Sequence, residues 1–389
     1  MAYQDLGAGG PRPGESDVVG FGREGPPRRS WIIRALLVAA AAAVVAVVAV
    51  RLGDHAGKPS RPAPHAQPQV VATYAGRHLL GVSANWDLFA RGVSYLVRIQ
   101  LASGKVTRTV VPPLESNSPV VAFVVGAHEV IVRSYDQVPG YVVHDGDPAR
   151  LLTGVLANYA GPLLPGPDGS QVWALTGGVG NSQLTLVGLD GKVTGTSIRL
   201  PPGGPLPATA IPDGRGYAIL LTNANRIYDA APTWDHRVPS MVIATGPTAW
   251  LSLACARRCR NVVTDPDTGA QRTLPGPGLT ESAFAWPTLG VISPDGGVAA
   301  VPVMTASTSG GGVALDLINL RTGKRTQAGV AMGQVPVYQG MAWSPDSRWL
   351  FVVASGGRLA AVNPATGQAT GLPLQLPPVS QVAIRPAPG

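Results

Sequence analysis

A tight turn built on glycine returns along this chain at nearly constant spacing, and that periodicity constrains the fold more than any other feature. The phrase reads LASGKVTRT around Gly104, GLDGKVTGT around Gly191, PDTGAQRTL around Gly269, LRTGKRTQA around Gly323 and PATGQATGL around Gly367, with a divergent form, HDGDPARLL, around Gly146. A tight hairpin needs one residue in the left-handed backbone region, which glycine supplies without steric cost. A second phrase, Pro-Asp followed by Gly or Ser, stands ahead of apolar runs at Asp168, Asp213, Asp295 and Asp346. Proline presets φ there, and the aspartate side chain can accept hydrogen bonds from the turn amides.

Between these turns lie short apolar or alternating runs such as YLVRIQL, HEVIVRSY, SQVWALT, LDLINL and RWLFVVAS, bounded by Gly, Pro, Asp and Asn. From residue 70 onward no stretch carries a convincing 3.6-residue period, so the class is all-β. The hairpin glycines fall 42, 45, 78, 54 and 44 residues apart, and the gap of 78 contains the Asp213 turn, so it holds two units. A period of 40–50 residues with about four short strands is the signature of a β-propeller. Counting gives seven units, at about 78–115, 116–158, 159–203, 204–243, 244–280, 281–333 and 334–378; six or eight remain open. The terminal VSQVAIRPAPG reads as one further strand, and the first unit lacks its opening strand. The chain end is therefore expected to complete the first blade and remove the open edge of the ring.

At these turn phrases the chain resembles the TolB-like and WD40-like propeller repeats of bacterial envelope proteins, whose units place an SPDG-type turn before a strand. The resemblance covers about 320 residues. It implies the fold and an association with envelope protein or peptidoglycan-linked partners. No unit ends in a Trp-Asp pair, and the fourth and fifth units are degenerate.

Residues 35–50 read ALLVAAAAAVVAVVAV, and with Trp31, Ile32 and Ile33 the apolar span reaches 20 residues. That length is about 30 Å of helix, enough for a bilayer core. The sequence thus divides into a disordered cytoplasmic tail (1–30), a transmembrane helix (31–51), a Pro-rich linker (52–69) and an extracytoplasmic propeller (70–389). Arg23, Arg28 and Arg29 upstream favour an internal N-terminus, against Arg51, Lys58 and Arg61 downstream. A cleaved signal or a twin-arginine export signal at RRSWII are the alternatives, and all three leave the large domain outside the cytoplasm. The expected address is a bacterial cell membrane, single-pass. Arginine supplies 26 of the 30 basic residues, in keeping with a high-GC bacterial genome.

The net charge of +8 could indicate nucleic acid, but residues 1–58 hold seven Lys/Arg and five Asp/Glu, leaving +6 spread over the other 331 residues. No basic run interleaves with aromatics, so nucleic-acid binding is not expected. Cys255 and Cys259, in SLACARRCRNVV, are expected to pair across a hairpin in an oxidising compartment. So short a loop contributes only about 2 kcal/mol. Arg257 and Arg258 then occupy its tip, placed to meet an anionic partner. The pairs Asp145/Asp147 and Asp265/Asp267 invite a calcium reading but lack the rest of an EF-hand loop and coincide with hairpin turns. His55, His65, His78, His128, His144 and His236 show no zinc spacing; no nucleophile elbow or P-loop is present. The glycine runs at Gly177–Gly180 and Gly310–Gly312 have no following helix, as a phosphate cradle requires. Trp86, Trp173, Trp250, Trp286, Trp343 and Trp349 fall in or beside strands, where packing between blades is expected, a carbohydrate or peptide platform being the other use.

No catalytic residue, metal ligand or cofactor site is assigned. A non-catalytic binding or scaffold module for an envelope protein or cell-wall partner is the leading expectation. A propeller hydrolase or lyase with groups converging at the channel mouth, and a ligand sensor signalling through the helix, are the alternatives. Oligomeric state is not set by the sequence.

Overall fold

The structure is a computed structural model, and it describes residues 67–73, 85–111, 122–133, 140–157, 163–176, 183–199, 209–221, 227–231, 234–238, 241–280, 290–305, 312–332 and 339–387. These belong to one compact unit, Pro64–Gly389. The expected cytoplasmic tail and transmembrane helix, the linker up to residue 66, Gly177–Gly180, Gly310, His78 and Trp286 lie outside the described residues. Among the described residues no helix is long and apolar enough to cross a membrane.

The fold is all-β and propeller-like, and its described strands form consecutive antiparallel meanders. The first contains β1 (Gln69–Thr73), β2 (Trp86–Arg91), β3 (Tyr95–Gln100) and β4 (Lys105–Val110). The second contains β5 (Ala122–Val125), β6 (Glu129–Arg133), β7 (Tyr141–His144) and β8 (Arg150–Leu151). The third runs β9 (Leu163–Pro165), β10 (Gln171–Thr176), β11 (Gln183–Gly188) and β12 (Val193–Arg199). The fourth runs β13 (Thr209–Pro212), β14 (Ala218–Leu221), β15 (Ile227–Ala231) and β16 (Trp234–Val238). The fifth has β17 (Met241–Thr245), β18 (Trp250–Cys255), β19 (Cys259–Thr264) and β20 (Gln271–Thr273). The sixth has β21 (Gly290–Ile292), β22 (Val298–Thr305), β23 (Gly312–Asn319) and β24 (Arg325–Met332), and the seventh β25 (Met341–Trp343), β26 (Leu350–Ala354), β27 (Arg358–Val362) and β28 (Ala369–Gly371). The last strand, β29 (Gln381–Pro386), returns to the first sheet and lies beside β2.

Two details depart from the sequence reading. Met241–Thr245 pairs with β18, so the boundary between the fourth and fifth units falls before residue 241 instead of after 243. Gln69–Thr73, assigned to the end of the linker and the start of the domain, forms a fifth strand on the outer edge of the first sheet, with Gln69 opposite Arg108 and Thr73 opposite Lys105. Its valines gave no alternation to mark it; backbone pairing to β4 holds it.

Where side chains are described, the second and third strands of the sheets bury both faces, which is why those runs are continuously apolar rather than alternating. In β2, Leu88 and Ala90 pack with Phe351, Val353 and Ala361 of the seventh sheet, while Phe89 between them packs with Phe123, Val130 and Val132 of the second. In β26, Phe351 and Val353 face the first sheet, while Leu350 and Val352 face the sixth. Inner strands lie side by side: β29 against β5, β5 against β9, β9 against β13, β17 against β21, β21 against β25 and β25 against β29. All inner strands run the same way, as the parallel pairing of Ala244 with Gly290 illustrates. Turns joining first to second and third to fourth strands therefore gather at one end of the sheets, here the turn end. Connections joining second to third strands, and one sheet to the next, gather at the opposite, loop end.

The β2–β29 ladder pairs Trp86 with Pro386 through Arg91 with Gln381, joining the two extremes of the domain. Charge reinforces both of its ends. At the turn end Arg385, nearly buried, reaches Asp145 at 2.6 Å, the Gly126 carbonyl at 2.7 Å and Asp87 at 3.5 Å. Asp87, fully buried, also holds Arg98 at 2.6 Å. The Arg385 guanidinium stacks 4.7 Å from the centre of the Phe89 ring. At the loop end, buried Arg91 donates to Gln381 Oε1 at 3.0 Å, and burial lowers its pKa to about 10, still protonated at neutral pH.

Without Arg385, buried Asp87 and Asp145 would share Arg98 alone, and losing one cation of such a buried network costs about 3 kcal/mol. Arg385→Ala should therefore lower the urea midpoint of the domain in a single transition, with the tryptophans of distant sheets reporting the same midpoint. An early, separate phase confined to the first sheet would show that β29 merely decorates an edge.

Candidate binding surface

The turn end is built from self-satisfying aspartate and asparagine turns. Asp168 Oδ1 accepts from the Ser170 amide at 2.9 Å and Asp295 Oδ1 from the Gly297 amide at 3.0 Å; Asp346 Oδ1 accepts from the Arg348 amide at 3.1 Å. Gly104, Gly146, Gly191, Gly269, Gly323 and Gly367 all have φ between 70° and 82°. In three of these hairpins an acceptor four residues ahead of the glycine organises the turn; of these the sequence pointed to Asp265 but not to Asn319 or Asn363. Asp265 Oδ1 accepts from Asp267 N and Thr268 N, Asn319 Oδ1 from Arg321 N and Thr322 N, and Asn363 Oδ1 from Ala365 N. The amides of Thr268 and Asp267 hold the Asp265 carboxyl below the usual aspartate range.

The two acidic pairs are thereby spoken for. Asp267 pairs with Arg215 of the preceding sheet at 2.6 Å, Asp147 with Arg150 at 3.0 Å, and Asp145 with Arg385. Among the described residues no group of three His, Cys, Asp or Glu side chains is placed to hold a metal ion. His144 lies 3.2 Å from Glu129 and His128 is exposed; they are not brought together with other site candidates.

Asp213 differs from its three sequence counterparts. Ser293 and Ser344 are buried, bond Val298 O and Trp349 O through their amides, and accept the amides of Val298 and Trp349 on their hydroxyls. Asp213 N bonds Tyr217 O, so Asp213 takes the buried serine position and the Pro-Asp phrase is slipped by two residues. Its Oδ1 accepts from Arg215 N at 2.8 Å and Tyr217 N at 3.0 Å, while its Oδ2 is buried without a partner. Burial pushes this carboxyl up to about 6, against the pull of those two amides and of the Arg215 charge. Close packing explains the shape: a Cβ on Gly214, at φ 82°, would stand 2.5 Å from the carbonyl carbon of Gly246 in the next sheet.

Tryptophans link neighbouring sheets. Trp173 Nε1 donates to Gly216 O at 2.6 Å, Trp250 Nε1 to Asp213 O at 3.0 Å and Trp343 Nε1 to Val291 O at 3.1 Å. Trp86 and Trp349 pack on the core shared by the first and seventh sheets.

The loop end carries the other assigned residues. Cys255 and Cys259 are directly opposed across β18 and β19 and form a disulfide. Ala256, Arg257 and Arg258 make the exposed tip, followed by exposed Arg260. Gly278 N reaches back to Cys259 O at 3.3 Å, and Leu279 N bonds Asn261 Oδ1 at 3.3 Å, so the following segment braces the hairpin. Among the described residues no carboxylate pairs with Arg257, Arg258 or Arg260. A cleft of about 890 Å³, lined by Arg358, Leu359, Leu372, Leu374, Gln375 and Leu376, opens at the same end.

No family model matches the chain, and no curated protein matches it. Solved structures do. TolB from Acinetobacter baumannii is similar at 14% identity and a TM-score of 0.43, over 79% of this chain and 68% of that one. A functionally unknown protein from Desulfotomaculum acetoxidans is similar at 14% identity and a TM-score of 0.48, over 78% of this chain and all of that one. Virginiamycin B lyase from Staphylococcus aureus is similar at 13% identity and a TM-score of 0.43, over 67% of this chain and 87% of that one. The chain is similar to TolB-like propeller proteins in fold.

Asp213 supplies a pH signature. Its folded pKa lies above the unfolded value, so the folded state binds the proton more tightly, and the stability it contributes falls as pH rises from about 4 to about 6, by up to about 3 kcal/mol. Asp213→Asn retains the acceptor for the two turn amides and cannot ionise. The variant should therefore gain on the wild type between pH 4 and pH 7 in urea-midpoint measurements; parallel pH profiles would mean that Asp213 is not desolvated.

Proposed function

We propose that the protein is a membrane-anchored, extracytoplasmic, seven-bladed propeller that acts as a non-catalytic binding or scaffold module for an envelope protein or cell-wall partner. The meanders supply its blades, and β29 completes the first of them. The observation that carries the binding role is the Cys255–Cys259 hairpin, whose exposed Arg257 and Arg258 have no carboxylate partner among the described residues. A guanidinium left unneutralised on a braced tip loses little conformational freedom on meeting an anionic group, and loops on a rigid frame carry recognition. Pairing of the two cysteines supports an oxidising compartment, and the apolar run 35–50 supports the anchor.

Lys105, Lys192 and Lys324 are the domain's lysines, and all three are exposed. A membrane-impermeant amine reagent should label them in intact cells; labelling that appears after lysis alone would sink the address. For the binding role, the full chain is crosslinked in cells and recovered from solubilised membranes. Like-charge juxtaposition costs several kcal/mol, so R257E/R258E should reduce co-recovered envelope material more than about tenfold. Unchanged recovery would remove the tip from the binding surface.

A further inference from the structure

We infer that the loop end is a membrane-facing surface, with the anionic phospholipid headgroups of the protein's own bilayer as the partner of its arginines. The inference rests on the anchored, extracytoplasmic reading and goes beyond its protein or cell-wall partner by giving the same arginines a lipid surface to meet.

The two ends of the domain differ in charge. Every Asp and Glu whose side chain is described lies at the turn end or, as Asp316 does, within a strand beside an arginine: Asp87, Glu129, Asp145, Asp147, Asp168, Asp190, Asp213, Asp265, Asp267, Asp295 and Asp346 all belong to the turn end. The loop end exposes Arg199, Arg257, Arg258, Arg260 and Arg358, and among the described residues none of the five has a carboxylate partner. Glu115, Asp136, Arg226 and Glu281 lie outside the described residues.

The register of β1 decides which end the preceding chain approaches. Because Gln69 lies opposite Arg108 and Thr73 opposite Lys105, and Lys105 follows the turn-end glycine Gly104, β1 runs from the loop end toward the turn end. Strand β1 is therefore entered from the cationic end. Most exposed apolar side chains lie toward the same end, Val193 at the turn end excepted: Val93 and Val110 flank the loop-end edge of the first sheet, Val70 lies in β1, and Met304 is next to last in β22. Arginines on the fifth sheet and valines on the first sit in different parts of the ring, so a broad surface with both anionic and apolar character suits them better than a small ligand. A bilayer interface has both, and an extra basic patch beside a hydrophobic anchor adds electrostatic attraction that salt screens.

The test uses the full chain reconstituted in nanodiscs of phosphatidylcholine alone or with phosphatidylglycerol. Hydrogen exchange is followed in the tip peptide 254–262, with the turn-end peptide 344–350 as internal control. Each arginine near an anionic surface shifts the contact equilibrium about fivefold, so the tip should exchange at least about fivefold more slowly in the anionic discs. That protection should vanish in R257E/R258E/R260E and at high salt, with the control peptide unchanged throughout. Equal exchange in both lipids overturns the inference, as does protection that appears only when soluble anionic cell-wall polymer is added. Failure of the chain to enter the discs, or amine labelling confined to lysed cells, would instead overturn the anchored reading itself.

Discussion

The ladder between β2 and β29 is the constraint on which the remaining structure depends. The first and seventh sheets each bury both faces against neighbours, so an open arc would leave one apolar face bare at each end. Pairing Trp86–Arg91 with Gln381–Pro386 joins residues almost 300 apart in sequence and brings the seventh sheet against the first. The polar groups that secure it are unusual for strand interiors: Asp87 is fully buried, Arg385 nearly so, and Arg91 holds its charge against neutral acceptors. Apolar packing alone would allow β29 to slide by two residues with little loss, because the pleat repeats every two residues. Arg385 removes that freedom, since one register places it against Asp87, Asp145 and the Gly126 carbonyl together.

Much of this was legible in the chain, for a physical reason. A hairpin glycine satisfies a local demand, so Gly104, Gly191, Gly269, Gly323 and Gly367 reveal their positive φ without knowledge of the fold. The returning terminal strand was legible by subtraction, since the first unit lacked an opening strand and VSQVAIRP had no partner of its own. What escaped were properties set by distant neighbours. Nothing in WDLF or VAIRP shows that Asp87 and Arg385 share a buried network with Asp145, although a charge inside an apolar strand run is the trace it leaves. Strand β1 escaped as well, because its identity depends on the edge that β4 presents.

Asp213 shows the same limit within a motif that was found. Its Pro-Asp pair matches Asp168, Asp295 and Asp346 in letters, yet lacks the serine two residues ahead that Asp295 and Asp346 use. With Ile211 there instead, Asp213 moves into the buried acceptor position and bonds the amides of Arg215 and Tyr217 itself. A carboxylate with one free buried oxygen replaces a neutral hydroxyl. The fourth turn is the costly copy of the repeat, and burial raises its carboxyl to about 6.

The separation of charge between the two ends follows from turn chemistry. Each meander needs tight turns at one end, and a tight turn is satisfied by a short side chain that accepts from its own amides, which selects Asp and Asn. Most carboxylates are thus committed to the turn end by the backbone, and nearby cations such as Arg215, Arg150 and Lys192 pair with them there. Loop-end connections are under no such demand, and a disulfide or a proline run can hold them as well. The Cys255–Cys259 tip and the segment Leu372–Pro378 are held that way. Arginines placed at that end find no carboxylates waiting for them among the described residues. The cationic surface therefore needs no concentrated basic motif: dispersed arginines become a patch because the repeat has already drawn the acids to the other side.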